Sequence, residues 1–200
     1  TGLSGKFILK EALSRNHEVT VLAREARVVV LQDKNLTVVQ GSVLDKNIVN
    51  DVLKNQDAVI QCLGVGGKGD GKPTTFVSTA NKIIIEEMEK SNVKRLIALS
   101  NIGAGNSLVF TPWIFRKIIL PYFMKWLQVI VDDKNRMEPM IMNSNLDWTI
   151  VRSAGMVDKP AQGKVNDTIT GKGLNFTITL PDLARFIVDQ LEEKKYIKQA

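Results

Sequence analysis

Five short runs of aliphatic and β-branched residues punctuate the chain: Val19–Ala23, Leu36–Gln40, 57–63, 95–99 and 148–151. Runs such as 57–63 (DAVIQCL) and 95–99 (RLIAL) are apolar almost throughout, so they read as strands covered on both faces. Between most of them lie stretches with apolar residues at helical spacing. After Gly5, Phe7, Ile8, Leu9, Ala12 and Leu13 recur in this way, predicting a helix to about Arg15. Further helices are predicted at 45–54, 75–91, 134–144 and 181–193, the last with proline in its first turn. Segment 28–31 fits strand and helix equally, and 164–170 is irregular. Strands alternating with helices join through right-handed crossovers into a parallel sheet between helical layers, a three-layer α/β/α doubly wound fold. Ligands of such sheets bind outside the carboxyl ends of the strands.

The 200 residues suit one domain, expected to span 1–200, and 44% hydrophobic with 24% charged residues excludes a disordered chain. One cysteine, Cys62, excludes a disulfide framework, and with a single histidine, His17, it cannot build a zinc site. No metal is therefore expected, and a reducing, cytoplasmic location is. The net charge of +6 comes from scattered rather than striped lysines; solubility and attraction to small anions explain it as well as nucleic acid does, and a small-molecule ligand without nucleic acid is the expectation. The most apolar stretch, 108–131, contains Arg116, Lys117, Lys125, Pro112 and Pro121, so no membrane span is expected. A monomer or homodimer fits this composition.

Several segments carry chemistry. Thr1-Gly2-Leu3-Ser4-Gly5 matches the second half of a glycine-rich turn that offers backbone N–H groups to a pyrophosphate at a helix N-terminus. Glycines there also serve turns alone. At the end of the first strand, a carboxylate would favour NAD, whereas Arg24, with Arg27 nearby, can pair with a ribose 2′-phosphate and favours NADP. The adjacent Glu25 leaves NAD open. Residues 64–75 hold a Gly66-x-x-x-x-Gly71-Lys72 spacing, but Pro73 stands where Ser or Thr must hold magnesium, so the loop is read as a ligand-side loop. Ser100 follows the 95–99 strand, where a hydroxyl can bond a ligand or relay a proton, or simply cap a turn. His17 enters a strand at the far end, so no Ser–His triad is expected. Phe110, Trp113, Phe115, Tyr122, Phe123 and Trp126 crowd into 106–131, either a packed helix pair or dimer surface, or a lid for a flat substrate.

Together with His17–Leu22 (HEVTVL), 56–60 (QDAVI), Cys62-Leu63-Gly64, Pro73-Thr74-Thr75, 132–137 (DDKNRM) and 146–152 (LDWTIVR), these residues make the chain similar to atypical short-chain dehydrogenase/reductases with an NAD(P)-binding, NmrA-like domain. It most resembles the biliverdin reductase B and flavin reductase branch. The resemblance implies a Rossmann-like fold whose first strand would precede Thr1, about ten residues upstream. It implies that Thr1, Gly2, Leu3, Ser4 and Gly5 hold the pyrophosphate, with Arg24 and Arg27 at the 2′-phosphate. Ser42 and Val43 would lie near the adenine, and Leu63 and Gly64 on the adenosine side. Ser100, Arg152, Ser153 and Ala154 would flank the nicotinamide. Where the family has aspartate this chain has Ser42; of the Tyr-x-x-x-Lys pair it keeps Lys134, with Ile130 at the tyrosine position; and Ser153-Ala154-Gly155 replaces the branch's prolines and histidine.

Reducing a ketone needs a proton donor for the developing alkoxide, a task for the absent tyrosine. A flavin, quinone or bilin spreads the incoming charge over its ring and does not. The expected activity is therefore an NAD(P)H-dependent reductase, NADPH-preferring, acting on a flat conjugated acceptor, with Ser100 and Lys134 as the catalytic candidates. The alternative is a non-catalytic NADP-binding redox sensor.

Overall fold

The computed structural model describes residues 2–65 and 71–200, without the side chains of Phe115, Ile119, Pro121 and Phe123. Helix α1 (Leu3–Ser14) buries Ile8, Ala12 and Leu13 and stops where Asn16 turns to φ 63°, a left-handed conformation that asparagine tolerates. Strand β1 (Val19–Ala23) runs parallel to β2 (Leu36–Gln40), with Val19 opposite Leu36 and Ala23 opposite Gln40. Between them, 28–31 is neither strand nor α-helix: a 3₁₀ turn at Ala26–Val28 leads into irregular chain with Val30 85% exposed. Its apolar residues lack a covering element, which is why periodicity alone could not decide it.

Helix α2 (Lys46–Leu53) starts at Asp45, whose carboxylate accepts from the N–H groups of Asn47 and Ile48. Strand β3 (Ala58–Gln61), helix α3 (Phe76–Lys90), strand β4 (Arg95–Asn101), helix α4 (Lys125–Met142) and strand β5 (Asp147–Ser153) follow. The order β3–β4–β5 is parallel throughout, and β1–β2 forms a separate parallel pair. Two short parallel strands, β6 (Gly155–Val157) and β7 (Thr177–Thr179), bracket the irregular tail, and α5 (Leu180–Glu192) closes the order with Thr179 capping its N-terminus. Helix α4 begins well before the predicted 134. The segment ahead of it is a 3₁₀ turn (Gly105–Phe110) and a π-helical stretch (Phe115–Phe123). None of the described helices is long and apolar enough to cross a membrane.

The period-two alternation of a strand sends its side chains to two cores. From β4, Leu96 and Ala98 pack with Val49 of α2, Met88 of α3 and Met137 of α4. Ile97 and Leu99 pack on the other face with Ile8 of α1 and Ile187 of α5. Leu96, Ile97 and Ala98 are wholly buried, as the apolar run required. The result is the expected three-layer α/β/α arrangement.

One cap comes from a neighbouring helix. Thr75 gives no side-chain cap to α3; instead Asp133 of α4, 1% exposed, accepts from Val77 N at 2.8 Å and Ser78 N at 3.3 Å. The carboxylate thus meets the positive end of the α3 dipole in a site shut off from water. Replacing it leaves buried N–H groups without a partner, at about 1–3 kcal/mol. Asp133→Ala should lower stability in urea by roughly 2 kcal/mol or more, while Asp132→Ala, next door and solvent-exposed, should stay within about 0.5 kcal/mol. Equal losses for the two would mean that the cap contributes nothing.

Candidate functional site

A cavity of ≈ 2110 Å³ runs between β1 and β3 from their amino ends, at His17 and Asp57, to a crevice at the carboxyl ends of β1, β3, β4 and β5, where the start of α1 joins it. At its floor α1 begins with Gly2 in extended conformation, no side-chain cap and no acidic residue in the first turn. Among the described residues no side chain caps the first N–H groups of the helix, and their positive end suits an anion. Gly5 permits close approach to β3: a Cβ there would lie 3.3 Å from Cys62 Sγ.

The predicted residues fall into three groups. Gly2, Leu3, Ser4, Gly5, Arg24, Val43, Leu63, Gly64, Ser100, Lys134, Ser153 and Ala154 line the crevice together. Arg27, Ser42 and Arg152 do not. Arg27 is drawn to Glu25 at 2.8 Å, both exposed; Ser42 accepts from Leu44 N at 3.2 Å in the turn before α2; Arg152 is turned toward α4. Thr1, and residues 66–70 of the glycine-rich loop, lie outside the described residues. His17 precedes the amino end of β1 and lines the same cavity at the end away from Ser100, which lies near the carboxyl end of β4.

One side of the crevice is apolar: Phe110, Pro112, Ile114, Trp126, Leu127 and Ile130 line it, and Met156 and Phe176 approach from the tail. Phe110 is seated on Gly171, whose φ of 73° and lack of a side chain make the contact; any Cβ would collide with the ring. Trp113 and Tyr122 in the same segment are 60% and 72% exposed.

The polar end is built by α4. Lys134, 4% exposed, donates to Leu63 O at 3.2 Å and Leu99 O at 2.7 Å, with Met137 Sδ at 3.9 Å. Burial pulls its pKa down to about 8, against the attraction of Asp133, Cys62 and Glu138. Four residues on, Glu138 is 1% exposed and binds three groups: Ser100 Oγ donates to Oε1 at 2.7 Å, Arg152 Nη2 to Oε2 at 2.7 Å and Arg152 Nε to Oε1 at 3.2 Å. Ser100 and Arg152 are register partners across β4 and β5, which places both on one carboxylate. Sequence reasoning missed Glu138; the available signal was Lys134-x-x-x-Glu138, two ionisable residues on the helix face that also carries Val131 and Ile141. Gln61, 2% exposed at the end of β3, approaches Met137 Sδ at 3.3 Å, and its Oε1 has no partner among the described residues. Among the described residues no three His, Cys, Asp or Glu side chains gather as a metal site.

This donor set fits a dinucleotide. The uncapped start of α1 suits the pyrophosphate, Arg24 suits a 2′-phosphate, and the Ser100–Lys134 end leaves room for a ring.

Comparison with known proteins gives the same frame. A family model described as NAD(P)H-binding matches residues 1–194. The chain is 26% identical over 204 residues to the Bacillus subtilis protein YwnB, covering 98% of this chain and 91% of that one. Among solved structures it is similar to ChuY, an anaerobillin reductase from Escherichia coli O157:H7, with TM-score 0.72, 21% identity and 94% and 84% coverage. It is also similar to a short-chain dehydrogenase/reductase from Veillonella parvula in complex with NADP, with TM-score 0.71, 16% identity and 99% and 88% coverage.

Lys134 has a consequence for stability. Its folded pKa of about 8 lies below the ordinary 10.5, so between these values the unfolded chain binds more protons. The penalty is fully present below pH 8 and is relieved as pH rises toward 10.5. Relative to Lys134→Met, the native protein should gain up to about 3 kcal/mol between pH 7.5 and 10.5 in urea melts. Parallel stability profiles would rule out a depressed lysine.

Proposed function

The chain belongs to the NAD(P)H-binding family, and from that premise we propose that it is an NADPH-preferring reductase that passes a hydride to a flat conjugated acceptor such as a flavin, quinone or bilin. The observation that carries this reading is the joining, in one crevice, of an uncapped helix start, Arg24, a buried lysine and an aromatic wall.

A bound nicotinamide dinucleotide would supply the hydride. Leu3, Ser4 and Gly5 would hold its pyrophosphate, and Arg24 its 2′-phosphate. Glu25 is paired with Arg27, and neither lines the crevice, which favours NADP over NAD. Phe110, Trp126 and Ile130 would shed water from the acceptor and keep its plane against the cofactor ring. Ile130 adds no proton donor, so the acceptor must tolerate its new charge by delocalisation, with the Lys134 ammonium nearby to stabilise it. That ChuY reduces anaerobillin supports the flat-acceptor class by analogy of fold.

One observation favours the second reading, an NADP-binding sensor without turnover: Ser100, Lys134 and Arg152 are all engaged with protein groups. Oxidation of NADPH at 340 nm with FMN, menadione and biliverdin, beside calorimetric titration of NADP⁺, separates the two. Turnover with any acceptor supports the reductase, and binding without turnover supports the sensor. Arg24→Ala should weaken NADPH about 10- to 100-fold and leave NADH unchanged. Equal loss for both cofactors would remove the 2′-phosphate role. Because Lys134 carries its charge only below its pKa of about 8, kcat should fall as pH rises through that value. A flat profile up to pH 10 would take Lys134 out of the chemistry.

A further inference from the structure

Ser100 lines the crevice at the end of β4, and its one proton is already committed. Glu138 lies behind it, outside the crevice, and a carboxylate offers lone pairs only. Its Oε1 takes the Ser100 hydroxyl and Arg152 Nε; its Oε2 takes Arg152 Nη2. Arg152 is anchored in turn by Asn106 Oδ1 at 2.7 Å. Gly105, at φ 56°, lies against the pair so closely that a Cβ would come within 2.5 Å of both Arg152 Nη2 and Glu138 Oε2. Its N–H is held by Asn135 Oδ1 at 2.7 Å. The carboxylate is thus locked from three elements: β4, β5 and the turn after β4. Turning the serine proton toward a ligand would strip a buried charge of one donor, a costly change.

We propose that the Glu138–Arg152 pair sets Ser100 as a hydrogen-bond acceptor toward the crevice, so that the group recognised there is an N–H donor. On the reading that the crevice takes nicotinamide and a flat acceptor, two groups have this chemistry: the carboxamide of the nicotinamide, and the ring N–H of a flavin or tetrapyrrole. A quinone presents carbonyl lone pairs only, which Ser100 would face with its own. Carbonyl oxygens fall instead to Lys134, whose third N–H meets, among the described residues, the Met137 sulfur at 3.9 Å. Ser100 is then the specificity-determining residue, and Glu138 the positioning residue behind it.

The test compares ligands that differ by that N–H. Calorimetry gives Kd for NADP⁺ and its 3-acetylpyridine analogue, in which a methyl replaces the carboxamide NH₂. Kinetics with NADPH give kcat/KM for riboflavin and 3-methylriboflavin, in which the ring N–H is methylated. The native chain should prefer the N–H partner about tenfold in one arm, and the arm names the source of the donor. Ser100→Ala should bring that ratio to about one, and Ser100→Thr should restore it. Glu138→Gln, whose amide can donate to Ser100 and release its proton, should lower the ratio and raise menadione turnover relative to riboflavin. Ratios near one in both arms of the native chain, or a ratio unchanged in Ser100→Ala, overturn the proposal while leaving the dinucleotide reading intact. Failure of both dinucleotides to bind overturns that reading, and this one with it. Should Glu138→Gln fail to fold, the two Ser100 variants decide the question.

Discussion

The ammonium of Lys134 ties the chain leaving β3 to the neighbouring strand β4, and the site is arranged around that tie. Buried backbone carbonyls need donors, and those of Leu63, just past β3, and Leu99, near the carboxyl end of β4, share one from outside the sheet. Helix α4 supplies it. The same helix sends Asp133 to the start of α3 and Glu138 to Ser100 and Arg152. Its three buried ionisable side chains therefore set the relation between two strands, one helix start and one hydroxyl. This organisation costs solvation energy, visible in the lowered pKa of Lys134.

The apolar parts of the fold stand behind this arrangement. Because β4 divides its side chains between two cores, the strand is held on both faces and cannot slip by one residue without exchanging them. Register is thereby pinned, and with it the pairing of Ser100 with Arg152. A hydrophobic alternation in one strand sets the geometry of a charged group in the next.

Much of the frame was legible from residues alone. The apolar runs of β3, β4 and β5 and the helical spacing of α1, α3 and α5 are strong periodic signals, and the three-layer arrangement follows from them. What was hidden was non-local. Strands β6 and β7 are three residues each and form only because they meet one another. The 28–31 segment has the composition of a strand and no neighbour to pair with. Helix α4 was placed late because Pro121 and the aromatic cluster obscure where its spacing begins. Arg152, set beside the nicotinamide by family resemblance, shows its internal role only once its register with Ser100 and the position of Glu138 are known. The crevice residues on strand ends and the α1 turn were the legible part of the site, since the topology of a parallel sheet brings them together.

The crevice has two kinds of wall. Its polar end is drawn from strands and the middle of α4, whereas its apolar side comes from the first turns of α4 and from two connecting segments, the one between β4 and α4 and the one from β6 to β7, joined where Phe110 rests on Gly171. Such connecting segments accept insertions and exchanges that strands do not. Duplicated copies of a chain like this could drift apart in what they accept by rewriting those two segments, with the buried charges left untouched. The architecture separates an inherited chemical apparatus from a replaceable mould, which is the arrangement that lets one ancestral scaffold diversify.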